Sequence, residues 1–171
     1  MSKKQKSSVA AGILKGALAG ALGMYAMCKT SWYLYKNENP LAYKKEKEAQ
    51  KEGNYVPHEM IKKATDAMGV ELSDYQLDRA GKATQLMLGI LPGVLYGAMH
   101  HKADKLGFWR GSVFGIATFA LVDELLAPLA GVASGPTAYP WQAHARGFVD
   151  HLVYGVTTDS ALRLMDKATG A

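Results

Sequence analysis

The segment VAAGILKGALAGALGMYAMC, from Val9 to Cys28, is interrupted by a single charge, Lys15. A helix needs about 20 predominantly apolar residues to cross the hydrocarbon of a bilayer, so this run predicts a membrane-spanning helix. Lys3, Lys4 and Lys6 precede it, and Trp32, Tyr33 and Tyr35 follow as an interfacial aromatic belt. A charged start before an apolar run also describes a signal peptide. This run is longer than a typical signal core and continues into the belt, so it is expected to be retained.

Three further apolar runs follow. Thr84 to Met99 is short for a span, is flanked by Arg79 and Lys82 and then by His100, His101 and Lys102, and should be kinked at Pro92. Phe108 to Ala133 is apolar except for Arg110 and the pair Asp123 and Glu124. Pro128 cannot donate to the Glu124 carbonyl, so a bend or break is expected there. Arg146 to Met165 is the least hydrophobic, with Asp150, His151, Asp159 and Arg163 among its apolar residues, and reads as amphipathic by hydropathy alone.

Positions 29–83 form a polar region between the first two runs. Asn39-Pro40 reads as an N-cap and first helical residue, and Gly53 as a stop, which predicts a solvated, Lys- and Glu-rich helix over Pro40 to Glu52. A second short helix should follow Pro57 and end near Gly69. Ser73 with Gln76 makes a capping box from which a helix can run through Arg79 into the second apolar run.

The 171 residues suit one domain, and the net charge of +5 is accounted for by topology rather than nucleic acid, because no zinc-ligand pattern, helix-turn-helix signature or aromatic-interleaved basic motif is present. Lys3, Lys4, Lys6, Lys102, Lys105, Arg110, Arg163 and Lys167 fall on one side if four helices cross, while Ser134 to Ala145 has no Lys or Arg. By the positive-inside rule both termini are then cytoplasmic and the polar region lies outside. The single Cys28 excludes an internal disulfide. The expected architecture is an all-α, small polytopic membrane helical bundle of about four transmembrane helices, with a helical polar loop between the first and second.

Glycine spacing supports that architecture. Gly12, Gly16 and Gly20 recur by four in the first run, Gly89, Gly93 and Gly97 in the second, and Gly111 and Gly115 in the third. Lipid tails are as apolar as leucine, so helices in a bilayer associate by close backbone approach along such small-residue stripes. In water each helical glycine costs up to about 1 kcal/mol relative to alanine, which disfavours a soluble bundle built this way. The fourth run reads Gly147, His151, Gly155, Asp159, Arg163, and the third extends through Phe119 to Asp123, so charged groups share faces with packing glycines. Asp123, His151 and Asp159 are therefore expected to point into the bundle. Lys15 should snorkel to the edge.

The candidate buried polar network comprises Asp123, Glu124, His144, Arg146, Asp150, His151, Asp159 and Arg163. Asp159 and Arg163 have the favourable acid-first i, i+4 order. The network reads as a structural tie between the last two helices, or as a proton or cation relay. A metal site among His100, His101, His144 and His151 is disfavoured because the first two should lie at the opposite edge from His144. No zinc-protease helix motif, phosphate-binding glycine loop or G-x-S-x-G elbow is present, so no catalytic, cofactor or metal residue is assigned.

The stretch ATFALVDELLAPLAGVASGPTAYPWQAHARGFVDHLVYGVTTDSALRLMD, Ala117 to Asp166, resembles the C-terminal part of the YagU-like family of bacterial inner-membrane proteins of unknown function. The resemblance rests on an acid-bearing third span, a loop ending in Pro140-Trp141, and a last helix in which His151-Leu152-Val153 precedes an acid and an arginine. It covers about a third of the chain, leaves the polar region unmatched, and implies a polytopic inner-membrane protein without an assigned reaction. The expectation is a non-enzymatic accessory component that self-associates or joins a membrane-protein partner. The competing expectations are a small transporter or acid-stress protein, and a peripheral helical protein, which the mean hydropathy of -0.08 favours.

Overall fold

The computed structural model describes residues 3–100 and 109–170, of which residues 3–8 are described as helix backbone only. His101, Lys102, Lys105 and Phe108 lie outside the described residues, as do the side chains of Lys3, Lys4 and Lys6. Among the described residues the chain is all-helical, with no strand.

Helix α1 (Lys3–Lys36) carries the first apolar run and its aromatic exit, and takes in positions 29–36 at the start of the polar region. Helix α2 (Pro40–Ala49) starts where the Asn39 side chain accepts the Leu41 N–H and Pro40 opens the first turn. It ends short of Glu52, because Glu52 (φ 48) and Gly53 (φ 75) are left-handed in a 3-10 turn over Lys51–Gly53. Nor is α2 wholly solvated as expected. Ala42 and Glu46, one turn apart, are buried on its inner face.

Helix α3 (Val56–Ala67) begins around Pro57, and the Ser73–Gln76 capping box starts α4 (Asp74–Met99), which runs continuously through Pro92. Helix α5 (Arg110–Leu129) runs through a change of register and ends at Leu129, one residue past Pro128. Its middle, Phe119–Leu126, widens into a π-helix, with the Ala127 N–H reaching back five residues to the Val122 carbonyl. A wider register accommodates a residue that has no N–H and whose ring crowds the preceding turn. Helix α6 (Trp141–Thr169) starts after Pro140 and stops at Gly170 in the left-handed conformation.

The glycine rows lock these helices antiparallel. A Cβ on Gly20 would stand 2.5 Å from the Gly89 carbonyl oxygen of α4, and one on Gly93 would stand 2.6 Å from the Gly20 Cα. Gly12 meets Gly97, and Gly16 meets both Gly93 and Gly97, in the same way. A Cβ on Gly155 of α6 would lie 2.5 Å from the Gly115 nitrogen of α5, Gly111 faces Gly155 and Asp159, and Gly147 lies under the Phe119 ring. With α1 also packed on α6, the lateral order is α4, α1, α6, α5, and α4 and α5 touch through stacked Tyr96 and Phe114 rings 4.2 Å apart.

One end of the bundle, termed the terminal end, gathers Lys15, His100 and Asp166. The other, the cap end, holds Trp32, α2, α3 and the α5–α6 connection. There Val132 and Ala133 pack with Ala127 against Val56 and Met60, Lys63 donates to the Ala130 carbonyl at 2.6 Å, and Ser134 donates to the Ala49 carbonyl at 2.5 Å. Two helical segments are long and apolar enough to cross a membrane, Val9–Lys36 and Arg110–Leu129. The apolar part of α4 is shorter, and that of α6 is interrupted by Arg146, Asp150, His151, Asp159 and Arg163.

Candidate functional site

The eight polar residues marked in the sequence separate into groups strung along α6 rather than forming one network. The separation follows from helix rise: Arg146 and Asp159 are 13 positions apart, or roughly 20 Å at 1.5 Å per residue.

Towards the terminal end, Asp159 is the centre of a saturated cluster. Its Oδ1 accepts from Arg110 Nε (2.6 Å) and the Tyr96 hydroxyl (2.9 Å), and its Oδ2 accepts from Arg163 Nε (2.7 Å). Arg110 and Asp159 are both buried. The i, i+4 pair expected from the sequence is present, while Arg110 and Tyr96 come from α5 and α4. Below it, Asp166 accepts from Lys15 Nζ and faces His100 Nε2, each at 2.7 Å, and Lys15 also donates to the Thr169 hydroxyl. Lys15 thus reaches the last turn of α6 at the terminal end. It is held by an acid 151 positions away.

At mid-height, His151 donates from Nδ1 to the Gly147 carbonyl (2.9 Å), and its Nε2 stands 3.7 Å from Asp123 Oδ2. Asp123 does not point into the bundle as expected. Its side chain is 46% exposed, on the π-helical stretch that turns it off the α5–α6 seam, whereas His151 and Asp159 are buried. Glu124 and His144 pair at 2.7 Å, and His144 donates from Nε2 to the Pro136 carbonyl at 3.0 Å; both side chains are half-buried.

His100 and His144 therefore share one arrangement, a backbone carbonyl at one ring nitrogen and a carboxylate at the other, whereas the carboxylate nearest His151 stands off at 3.7 Å.

At the cap end, Arg146 lies on the Tyr35 ring, 3.7 Å from its centroid, and donates to Glu38 and, at 2.5 Å, to Glu46; the Tyr35 hydroxyl donates to the other Glu46 oxygen at 2.5 Å. Asp150 is buried one turn along α6, with Ser31 and Arg146 beside it. Sequence reasoning missed Glu46 in the Lys/Glu-rich helix and Glu38 just before it, and read Tyr35 as interfacial only, because several acids there have similar surroundings in the sequence. The visible signal was the i, i+4 pairing of Ala42 with Glu46, a small residue and an acid on one helical face.

Among the described residues no three His, Cys, Asp or Glu side chains gather as a metal-holding group. No family model matches this chain, and neither does any curated protein or solved structure. The likeness of Ala117 to Asp166 to the YagU-like family stands as a resemblance alone.

Proposed function

We propose that this chain is an integral membrane protein of four crossings, both termini cytoplasmic, in a bacterial inner membrane, and that it acts as a non-enzymatic structural or accessory component. The observation that carries the reading is an inversion of polarity. Outward-facing Leu18, Leu95 and Leu164, on α1, α4 and α6, are 62%, 66% and 68% exposed, and α5 likewise turns Leu121 and Leu125 outward, while Asp159 between the helices is 4% exposed. Water rewards the opposite arrangement, and lipid rewards this one. The exposed surface, 10584 Å², also exceeds the roughly 8,200 Å² expected of a compact protein of this mass, so apolar area is left for lipid or a partner.

The structural role, rather than ion passage, is favoured by the Asp159 cluster. A buried carboxylate that already holds three donors, two of them guanidinium groups, has most of its acceptor sites taken and its charge balanced, which disfavours handing an ion on. The tie fixes α4, α5 and α6 to one another and leaves the outer leucines free for lipid or for a neighbouring membrane protein.

Alkaline carbonate extraction tests the membrane reading: the chain is expected to stay in the membrane pellet, and release into the supernatant overturns it. Copurification after gentle solubilisation tests the accessory role. A stoichiometric partner or homo-oligomer is expected, and a lone monomer with measurable proton or cation flux would replace this role with transport.

A further inference from the structure

The cap-end cluster holds more acid than base. Glu38 and Glu46 hold one guanidinium, Arg146, Asp150 lies one turn along α6 from it, and all four side chains are buried. Glu46 is satisfied by Arg146 and Tyr35. Glu38 Oε1 and Asp150 Oδ1, however, are sealed from solvent with no hydrogen-bond partner. The other titratable groups around the cluster are Cys28 and Tyr35 on α1, Tyr43 on α2, Tyr55 ahead of α3, and Asp123 on α5, which faces His151; the cation beside them, Lys47 of α2, lies on the Tyr55 ring at 3.8 Å and donates to Gln50 rather than to the cluster's carboxylates. Three ionised carboxylates against one guanidinium, all with buried side chains, is a costly arrangement.

Something must neutralise the excess, and the geometry selects what. A cleft of about 270 Å³ borders Glu38 and Arg146, but Asp150 does not line it and the orphan Asp150 oxygen is closed off, so a cation in that cleft does not reach Asp150, and the described residues gather no metal-ligand set. A proton needs no volume. Glu38 and Glu46 each hold the guanidinium directly, so the remaining acid is Asp150.

We propose that this cluster is a proton-binding site, in which Asp150 is a neutral carboxylic acid while α2 is docked and releases its proton to cap-end water when α2 leaves. The reaction is a simple dissociation, with the carboxyl O–H broken and the electron pair kept by Asp150. Arg146 then has Glu38 and Asp150 to balance, and Glu46 leaves with α2 into water. Helix α2 is the element whose departure would open the site. It is 10 residues long, it is tied by Glu46 to Arg146, by Ser134 to Ala49, by Lys47 on the Tyr55 ring and by an edge contact of Tyr43 on Tyr35, and an open cleft of about 720 Å³ separates it from Ala138 to Gln142. The inference needs the burial of the cluster, not the lipid around it, so extraction by carbonate would leave it standing.

Hydrogen exchange of the α2 amides in the full chain, referenced to the unfolded peptide at each pH, tests it. The α2 opening constant should rise by up to about tenfold per pH unit between the ordinary carboxyl range of the undocked acid and the docked site's midpoint, and level off above that midpoint, as one-proton linkage requires. Asp150→Asn, a fixed stand-in for the neutral acid, should remove that slope. A wild-type opening constant that does not change with pH, or an Asp150→Asn slope equal to wild type, overturns the proposal. Should Asp150→Asn not fold, infrared spectroscopy of the wild type decides: a protonated carboxyl band should bleach over the pH range in which α2 opens, and no such band overturns the proposal.

Discussion

Arg110 and Asp159 meet across the α5–α6 seam, Nε donating to Oδ1 at 2.6 Å with both side chains buried. Removing the acid strips Arg110, Arg163 and Tyr96 of their common acceptor. Asp159→Leu is expected to destabilise the bundle by about 3–5 kcal/mol, and the double change Asp159→Leu with Arg110→Met to recover much of that, because a buried charge without its counter-ion costs more than an apolar replacement of both. Denaturation midpoints in mild detergent measure it. Equal losses in the single and double variants would contradict a structural tie.

The glycine rows should tolerate no side chain. Gly16→Leu or Gly93→Leu puts a branched group where the facing backbone of the partner helix lies, a cost of at least about 1–3 kcal/mol. Gly135→Leu, at an open position of the α5–α6 connection, should be close to neutral. Thermal stability of the three purified variants provides the comparison.

Acid should loosen the terminal end. Burial pushes the Asp166 carboxyl up, but Lys15 and His100 more than offset it and hold it below the usual carboxylate range. A carboxylate with a lowered folded value stabilises above its unfolded value, near about pH 4, and loses that contribution as pH falls through the folded one. The Tm gap between wild type and Asp166→Asn should be widest above pH 4 and close below it. A gap that widens in acid would show that the pair does not act this way.

Topology is open to chemical labelling, since Cys28 is the single thiol. In a Cys28→Ser background, Thr137→Cys at the exposed cap end should react with a membrane-impermeant maleimide in intact cells, and Lys167→Cys at the terminal end should react only after lysis. The reverse pattern would invert the orientation, and equal labelling in intact cells would remove the crossing.

Period-four glycines, the Asn39 and Ser73 caps and the helix stop near Gly69 were legible in the sequence because each is a local rule acting within a few residues. The α5–α6 seam was legible for a related reason, since stepping by four from Gly111 and from Gly147 puts glycine and charge on facing stripes. What was not legible depends on which distant surfaces meet. Lys15 with Asp166, Arg110 with Asp159 and Arg146 with Glu38 and Glu46 join positions far apart in the chain, and no spacing encodes them. The inward placement of Asp123 failed because stepping by four assumes 3.6 residues per turn, and the π-helical stretch that Pro128 imposes changes that count.

The reciprocal seating of glycine against carbonyl has a mechanical corollary. With Gly12, Gly16 and Gly20 each notched into the opposing strip of α4, and Gly111 and Gly115 into α6, a helix cannot ratchet lengthwise past its neighbour without lifting clear of it. The inner scaffold behaves as a keyed shaft, so whatever conformational freedom the molecule has is confined to its ends, above all to the short charged helix resting on Arg146.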